Sequence, residues 1–201
     1  MELTHLNYQG SPIDDATTLE KLPTDLRGFL EEINGFIQFS GGLHIRGACK
    51  SPDWHFLAEV WFGSLALTKL YPAINNRDIP FGQDALGDQF ILRGKVVHRL
   101  MGETGEVISL NCEFFEFLQS AQNDPQEYLE LNPLIQFHNE GGALEPGQLL
   151  SAYPPFCVDQ GKSGVSLKAI PTVERIRFLA DCAAQISNLP DGTGIKVIVS
   201  N

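Results

Sequence analysis

The stretch Ile79–Leu110, IPFGQDALGDQFILRGKVVHRLMGETGEVISL, decides the fold. Three runs rich in Ile, Val, Phe and Leu are separated by Arg93-Gly94-Lys95 and by Gly102-Glu103-Thr104-Gly105. Apolar β-formers punctuated by glycine turns predict a β-meander. Upstream, FIQFSGGLHIRGA (Phe36–Ala48) reads as two short strands around Ser40-Gly41-Gly42, a further hairpin. Before it, Leu19, Leu22, Leu26, Phe29, Leu30 and Ile33 recur at spacings of three and four, the signature of an amphipathic helix. Pro23 suits its first turn, and Asn34-Gly35 supplies a left-handed stop.

Between hairpin and meander, Pro52-Asp53 opens an expected helix through Trp61, and LALTKLYPAI (Leu65–Ile74) reads as a strand ended by Pro72. Downstream, Phe114, Phe117, Leu118 and Ala121 predict a helix capped by Asn111 or Ser109, and Asp124-Pro125 with Glu127 starts another. Pro133–Val158 is expected to wrap as irregular chain and short strands. Thr172–Ile186 reads as a closing helix capped by Thr172, and Ile195–Val199 as a final strand. Clustered strands followed by helices favour an α+β fold, a largely antiparallel sheet flanked by helices. Residues 1–131 form the expected core domain; 132–201 form an extension packed on it, ending in a helix and a strand.

The 201 residues are 43% apolar with 13 Phe, enough to build a core. Lys and Arg number 14 against 25 Asp and Glu, a net charge of −11. That balance argues against nucleic acid or an anionic membrane as partner, since both are met with cations. The N-terminal MELTHLNYQG has no basic and apolar leader pattern, and Val60–Thr68 is too short to span a bilayer. A cytoplasmic protein is expected.

Cys49, Cys112, Cys157 and Cys182 form no CxxC pair and read as reduced, mostly buried thiols. The five histidines are scattered, and His55 with Glu59 lacks the HExxH context of a zinc site. Asp84 and Asp88 in FGQDALGDQF lack the EF-hand spacing and the Walker Gly-Lys-Ser/Thr. They read as turn-capping residues beside glycines. Ser40 and Ser64 are outside any GxSxG context. No catalytic, metal or cofactor-binding residue is assigned, and no cofactor is expected.

Between Arg99 and Lys162 no Lys or Arg occurs, while acids are frequent. Glu103, Glu106, Glu113, Glu116, Asp124, Glu127 and Glu130 are therefore candidate residues for steering a basic protein partner. Solvated helix faces would give the same pattern. Trp54, Trp61, Phe81, Asp84 and Asp88 are candidates for lining a small-ligand pocket.

The order LPTDLRGFLEEINGF, FSGGLHIRG, DIPFGQDALGDQFIL, VISLNCEFFEFLQS resembles the SUKH superfamily, which includes the fungal Smi/Knr cell-wall regulator and many bacterial proteins. The matching positions are Pro23, Asp25, Leu26, Phe29, Leu30, Asn34 and Gly35, then Ile79, Pro80, Phe81, Asp84, Gly87, Asp88 and Phe90, then Phe114, Phe117 and Leu118. They span Leu19 to Ser120; the chain after Asn132 is outside the pattern. The resemblance implies a non-enzymatic α+β protein-binding fold. In bacteria it implies an immunity protein that neutralises a toxin by direct association, and in the fungal member a signalling role. An acidic immunity protein facing a basic nuclease would explain the charge. The alternative is a small-ligand-sensing or regulatory domain. Phe29, Leu30, Phe81, Phe90, Phe114 and Leu118 are expected in the core, with Gly35 and Gly87 at turns.

Overall fold

The computed structural model describes residues 3–158, 164–187, 189 and 193. Its centre is a seven-stranded antiparallel sheet whose spatial order follows the sequence. The strands are β1 (Leu6–Gln9), β2 (Phe36–Gln38), β3 (Leu43–Ile45), β4 (Ile79–Asp84), β5 (Gln89–Arg93), β6 (Val96–Leu100) and β7 (Val107–Ser109). A separate hairpin pairs β8 (Gln148–Tyr153) with β9 (Ser166–Pro171). The helices are α1 (Ala16–Leu19), α2 (Thr24–Glu32), α3 (Leu57–Trp61), α4 (Leu67–Leu70), α5 (Phe114–Asn123), α6 (Pro125–Tyr128), α7 (Asn132–Asn139) and α8 (Thr172–Ile186). The protein is α+β, with helices on both faces of the main sheet.

Strand alternation divides the apolar residues between those faces. On the front, Phe36, Leu43, Ile45, Phe81 and Phe90 meet Leu26, Phe29 and Leu30 of α2 and Phe114, Phe117 and Leu118 of α5. The rings pack edge to face or tilted, Phe29 and Phe81 each 5.3 Å from Phe114 and Phe90 4.6 Å from Phe117, geometries that suit their quadrupoles. On the back, Ile91 and Leu100 pack with Tyr71, Ile176, Ala180 and Ala183, so α8 covers the meander. The Leu150 N–H donates to the Ala85 carbonyl at 2.7 Å, tying β8 to the turn after β4.

Several elements differ from the sequence expectation. The expected helix from Leu19 to Gly35 is two, because Pro23 stands at the N-cap of α2 rather than inside it. The expected helix at Asp53 begins only at Leu57. Leu65–Ile74 is not a strand: Leu67–Leu70 form the short helix α4, which buries Leu67, and Tyr71 and Ile74 are buried in the chain that follows it. The α5 cap is Glu113, in a reciprocal capping box with Glu116, rather than Asn111 or Ser109. Pro171 precedes α8 and Thr172 makes no capping bond. β1 and α7 were not anticipated, and the expected strand Ile195–Val199 lies outside the described residues. All six expected core residues are buried. Gly35 and Gly87 have φ of +77° and +95°.

Candidate functional site

The β4–β5 turn carries the chemistry. Asp84 ends β4 and folds its carboxylate back over the turn. Its Oδ1 accepts the N–H groups of Leu86, Gly87 and Asp88 at 2.9, 2.9 and 3.0 Å. The left-handed Gly87 permits this, and a Cβ there would sit 2.8 Å from Leu179 Cδ1. The expected turn-capping role of Asp84 is therefore what the turn uses. Asp88 in turn accepts the Gly102 N–H at 2.8 Å.

Register brings a cation to both. Arg99 on β6 lies opposite Phe90 on β5, beside the turn. Its Nη2 donates to Asp84 Oδ2 at 2.7 Å, its Nε to Asp88 Oδ2 at 3.0 Å, and its Nη1 meets Glu130 Oε2 at 2.8 Å. Asp84 and the Arg99 side chain are 2% and 8% exposed, so the cluster is desolvated. Burial, then the neighbouring Asp88 charge, pushes the Asp84 carboxyl up to about 7 against the pull of Arg99. Burial likewise raises Asp88. Glu130 adopts φ +55°, a left-handed backbone for a non-glycine residue. Such strain persists where surrounding structure imposes it, and here it aims a carboxylate at Arg99.

A second ion pair completes the wall. Arg175 of α8, 1% exposed, donates from Nε to the Leu86 carbonyl at 3.0 Å and stands 3.7 Å from Glu103 Oε1. Glu103 Oε2 accepts the Cys157 N–H at 2.9 Å. Asp88, Arg99, Glu103, Glu130 and Arg175 together line an open cleft of about 400 Å³ whose apolar wall is Leu86, Met101, Pro133 and Phe156. A second opening of about 430 Å³, between the N-terminal segment and α7, has no carboxylate or guanidinium in its lining. The charged cleft is the candidate site.

The acidic residues separate by role. Glu103 and Glu130 reach the cleft. Glu113 and Glu116 cap α5, and Asp124 accepts the Glu127 N–H at the start of α6. Glu106 is exposed on the approach to β7. The five candidate pocket residues do not share one cavity. Phe81 is in the front core, and Trp61 is buried there and stacks on Phe62 at 4.3 Å. Trp54 rests on Tyr8 at 4.9 Å. Asp84 is held behind Arg99, and Asp88 alone of the five lines the cleft. The physical reason is position along the sheet: Phe81 lies within β4 among the core rings, whereas Asp88 stands in the turn at the strand ends beside Arg99.

Sequence reasoning missed Arg99, Arg175 and a buried polar chain near the hairpin. Gln83 Nε2 lies 3.2 Å from His44 Nδ1, His44 Nε2 lies 2.8 Å from His55 Nδ1, and His55 Nε2 lies 2.9 Å from the Asn34 carbonyl. One proton order satisfies all three: each ring is neutral and donates from Nε2. Burial holds His44 well below its ordinary value and His55 at about 4. Arg46, fully buried, donates to Gln83 and Gln89 Oε1 at 2.5 and 2.6 Å and to the Pro80 and Gly82 carbonyls. Among the described residues no carboxylate pairs with it, and burial lowers its pKa to about 9. His55 thus serves the fold rather than pairing with Glu59, which binds Ser64.

Among the described residues no three His, Cys, Asp or Glu side chains are grouped to hold a metal ion, and no helix is long and apolar enough to cross a membrane. The chain matches no family model, no curated protein and no solved structure.

Proposed function

We propose that the protein is a non-enzymatic binding module of SUKH type, acting in the cytoplasm as an immunity protein that neutralises a toxin by direct association. The cleft is its contact site, and it receives a lysine or arginine side chain of a basic partner. One observation carries this reading, the charge imbalance of the lining: Asp88, Glu103 and Glu130 face Arg99 and Arg175, three carboxylates to two guanidiniums, with Asp84 behind. An entering cation would relieve that excess, while its aliphatic stem lies along Phe156 and Pro133. The net charge of −11 would steer such a partner at long range. The three motif segments behind the resemblance also pack together, through Phe29, Phe81, Phe90, Phe114 and Phe117.

Native capture from source cells with tagged wild type and Glu130→Gln, at low and high salt, tests it. Support is a stoichiometric basic protein whose capture weakens with salt and with Glu130→Gln. Capture indifferent to both, or recovery of bait alone from cells making candidate toxins, overturns it. The cleft volume, about 400 Å³, also lies in the range that small ligands occupy. The second reading is therefore a sensor of a small organic cation. A saturable rise in melting temperature with free arginine or a polyamine would favour it by mass action.

A further inference from the structure

The uncharged opening lies between the N-terminal segment and one stripe of α7. Leu131, Leu134, Ile135 and His138 follow the i, i+3, i+4, i+7 spacing of a single helix face. With Phe39 and Pro125 they wall a space of about 430 Å³. Asn132 and Pro133, on the other side of the helix, line the charged cleft, and no residue lines both.

The rim is strained. Among the described residues five non-glycines have a left-handed φ, and three of them line this opening: His5 at +55°, Phe39 at +54° and Ser40 at +56°. Two consecutive left-handed residues, one of them a phenylalanine, are opposed by their Cβ atoms. The segment is held by Asn7 Oδ1, which accepts the Ser40 N–H at 2.7 Å, and by the His5 carbonyl, which accepts the Phe39 N–H at 3.3 Å. Strain imposed in this way concentrates at ligand clamps.

The rim is also polar and unspent. Among the described residues no hydrogen bond reaches the His5 ring, the His138 ring or the Ser40 hydroxyl. Gln122 is by contrast committed, its Nε2 donating to Gln38 Oε1 at 2.7 Å. The lining holds no carboxylate, guanidinium or ammonium, so a charged ligand would shed water without gaining a counter-charge. Phe39 and the imidazoles offer ring faces for stacking. A neutral imidazole and a hydroxyl each present both a donor and an acceptor. The volume lies in the range of small-molecule sites. We infer that this opening binds a small uncharged heteroaromatic ring of the free-nucleobase class. The ring rests on Phe39 and the aliphatic stripe, and its polar edge meets His5, His138 and Ser40.

Titrating the isotope-labelled full chain with adenine, benzoate or cyclohexanol, followed by amide NMR shifts, tests this. Adenine should give saturable shifts centred on Thr4, His5, Ser40, Ile135 and His138. Benzoate, which is charged, and cyclohexanol, which has no ring face, should bind at least about tenfold more weakly. Ile135→Trp fills the opening from an exposed position and should weaken adenine at least about tenfold. Glu130→Gln, in the charged cleft, should leave adenine binding unchanged. Shifts that are absent, unsaturable or centred on the charged cleft overturn the inference, and so does equal binding of the three probes. The wild-type titrations decide this even if Ile135→Trp fails to fold.

Discussion

Replacing Arg99 by Met should make stability depend on pH in a way the wild type does not. Arg99 binds Asp84 at 2.7 Å and Asp88 at 3.0 Å in a site where its own side chain is 8% exposed. Removing the guanidinium leaves two buried carboxylates facing each other. Breaking a buried pair by deleting one partner costs about 3–5 kcal/mol, which is the loss expected at pH 8. At pH 5 the variant protonates both carboxyls, so charge repulsion vanishes. Only lost hydrogen bonds remain, about 1–2 kcal/mol. The gap of about 2–3 kcal/mol equals a combined upward movement of roughly two pKa units at 1.36 kcal/mol each.

The sign follows from linkage. Asp84 has a folded pKa of about 7, above the unfolded value of about 3.9. Its contribution is present below the unfolded pKa and lost as pH rises through about 7, and the variant extends that loss to higher pH. His44 and His55 act oppositely. Both are depressed, His55 to about 4, so their contribution is present above about 6.5 and lost as pH falls. Absolute profiles therefore mix the two, whereas the difference between variant and wild type cancels the histidines. Urea unfolding followed by tryptophan fluorescence at pH 5 and pH 8 measures that difference. A destabilisation equal at both pH values, or larger at pH 5, refutes the reasoning.

Glu130→Gly should leave the unfolding free energy within about 0.5 kcal/mol of wild type. Relief of the left-handed strain, about 1 kcal/mol, offsets an Arg99 pair whose acidic side chain is 64% exposed; the same variant should capture less basic partner. Phe117→Ala should cost about 3–5 kcal/mol in urea unfolding, since its ring is fully buried among Phe81, Phe90 and Tyr128. Gly87→Ala should lose about 1–3 kcal/mol, because φ +95° and the approach of Leu179 both oppose a Cβ; unchanged thermal stability would contradict that geometry.

The fold was legible where a local rule coincided with the tertiary one. The glycine-punctuated meander, the Phe114–Phe117–Leu118 stripe and the Asp124-Pro125 start each obey patterns a few residues long. β1 failed that test: Leu6–Gln9 is largely exposed and holds its place by pairing with β2, some thirty positions away. Leu65–Ile74 failed differently, because a four-residue helix and a short strand give overlapping apolar patterns.

The site was legible only in halves. The sequence marks Asp84 and Asp88 as turn residues and Glu103 and Glu130 as part of an uninterrupted acidic region. It does not mark Arg99 or Arg175, because each is an ordinary cation until register and α8 packing place it beside a carboxylate. The same placement changes what the acids do. A block that reads as one acidic surface becomes helix caps at Glu113, Glu116 and Asp124, and paired walls at Glu103 and Glu130. Reversing Glu113 and Glu116 to Lys would therefore test helix capping before it tested a partner. The exposed Glu130 separates the two effects, since it faces the cleft while its removal costs the fold little.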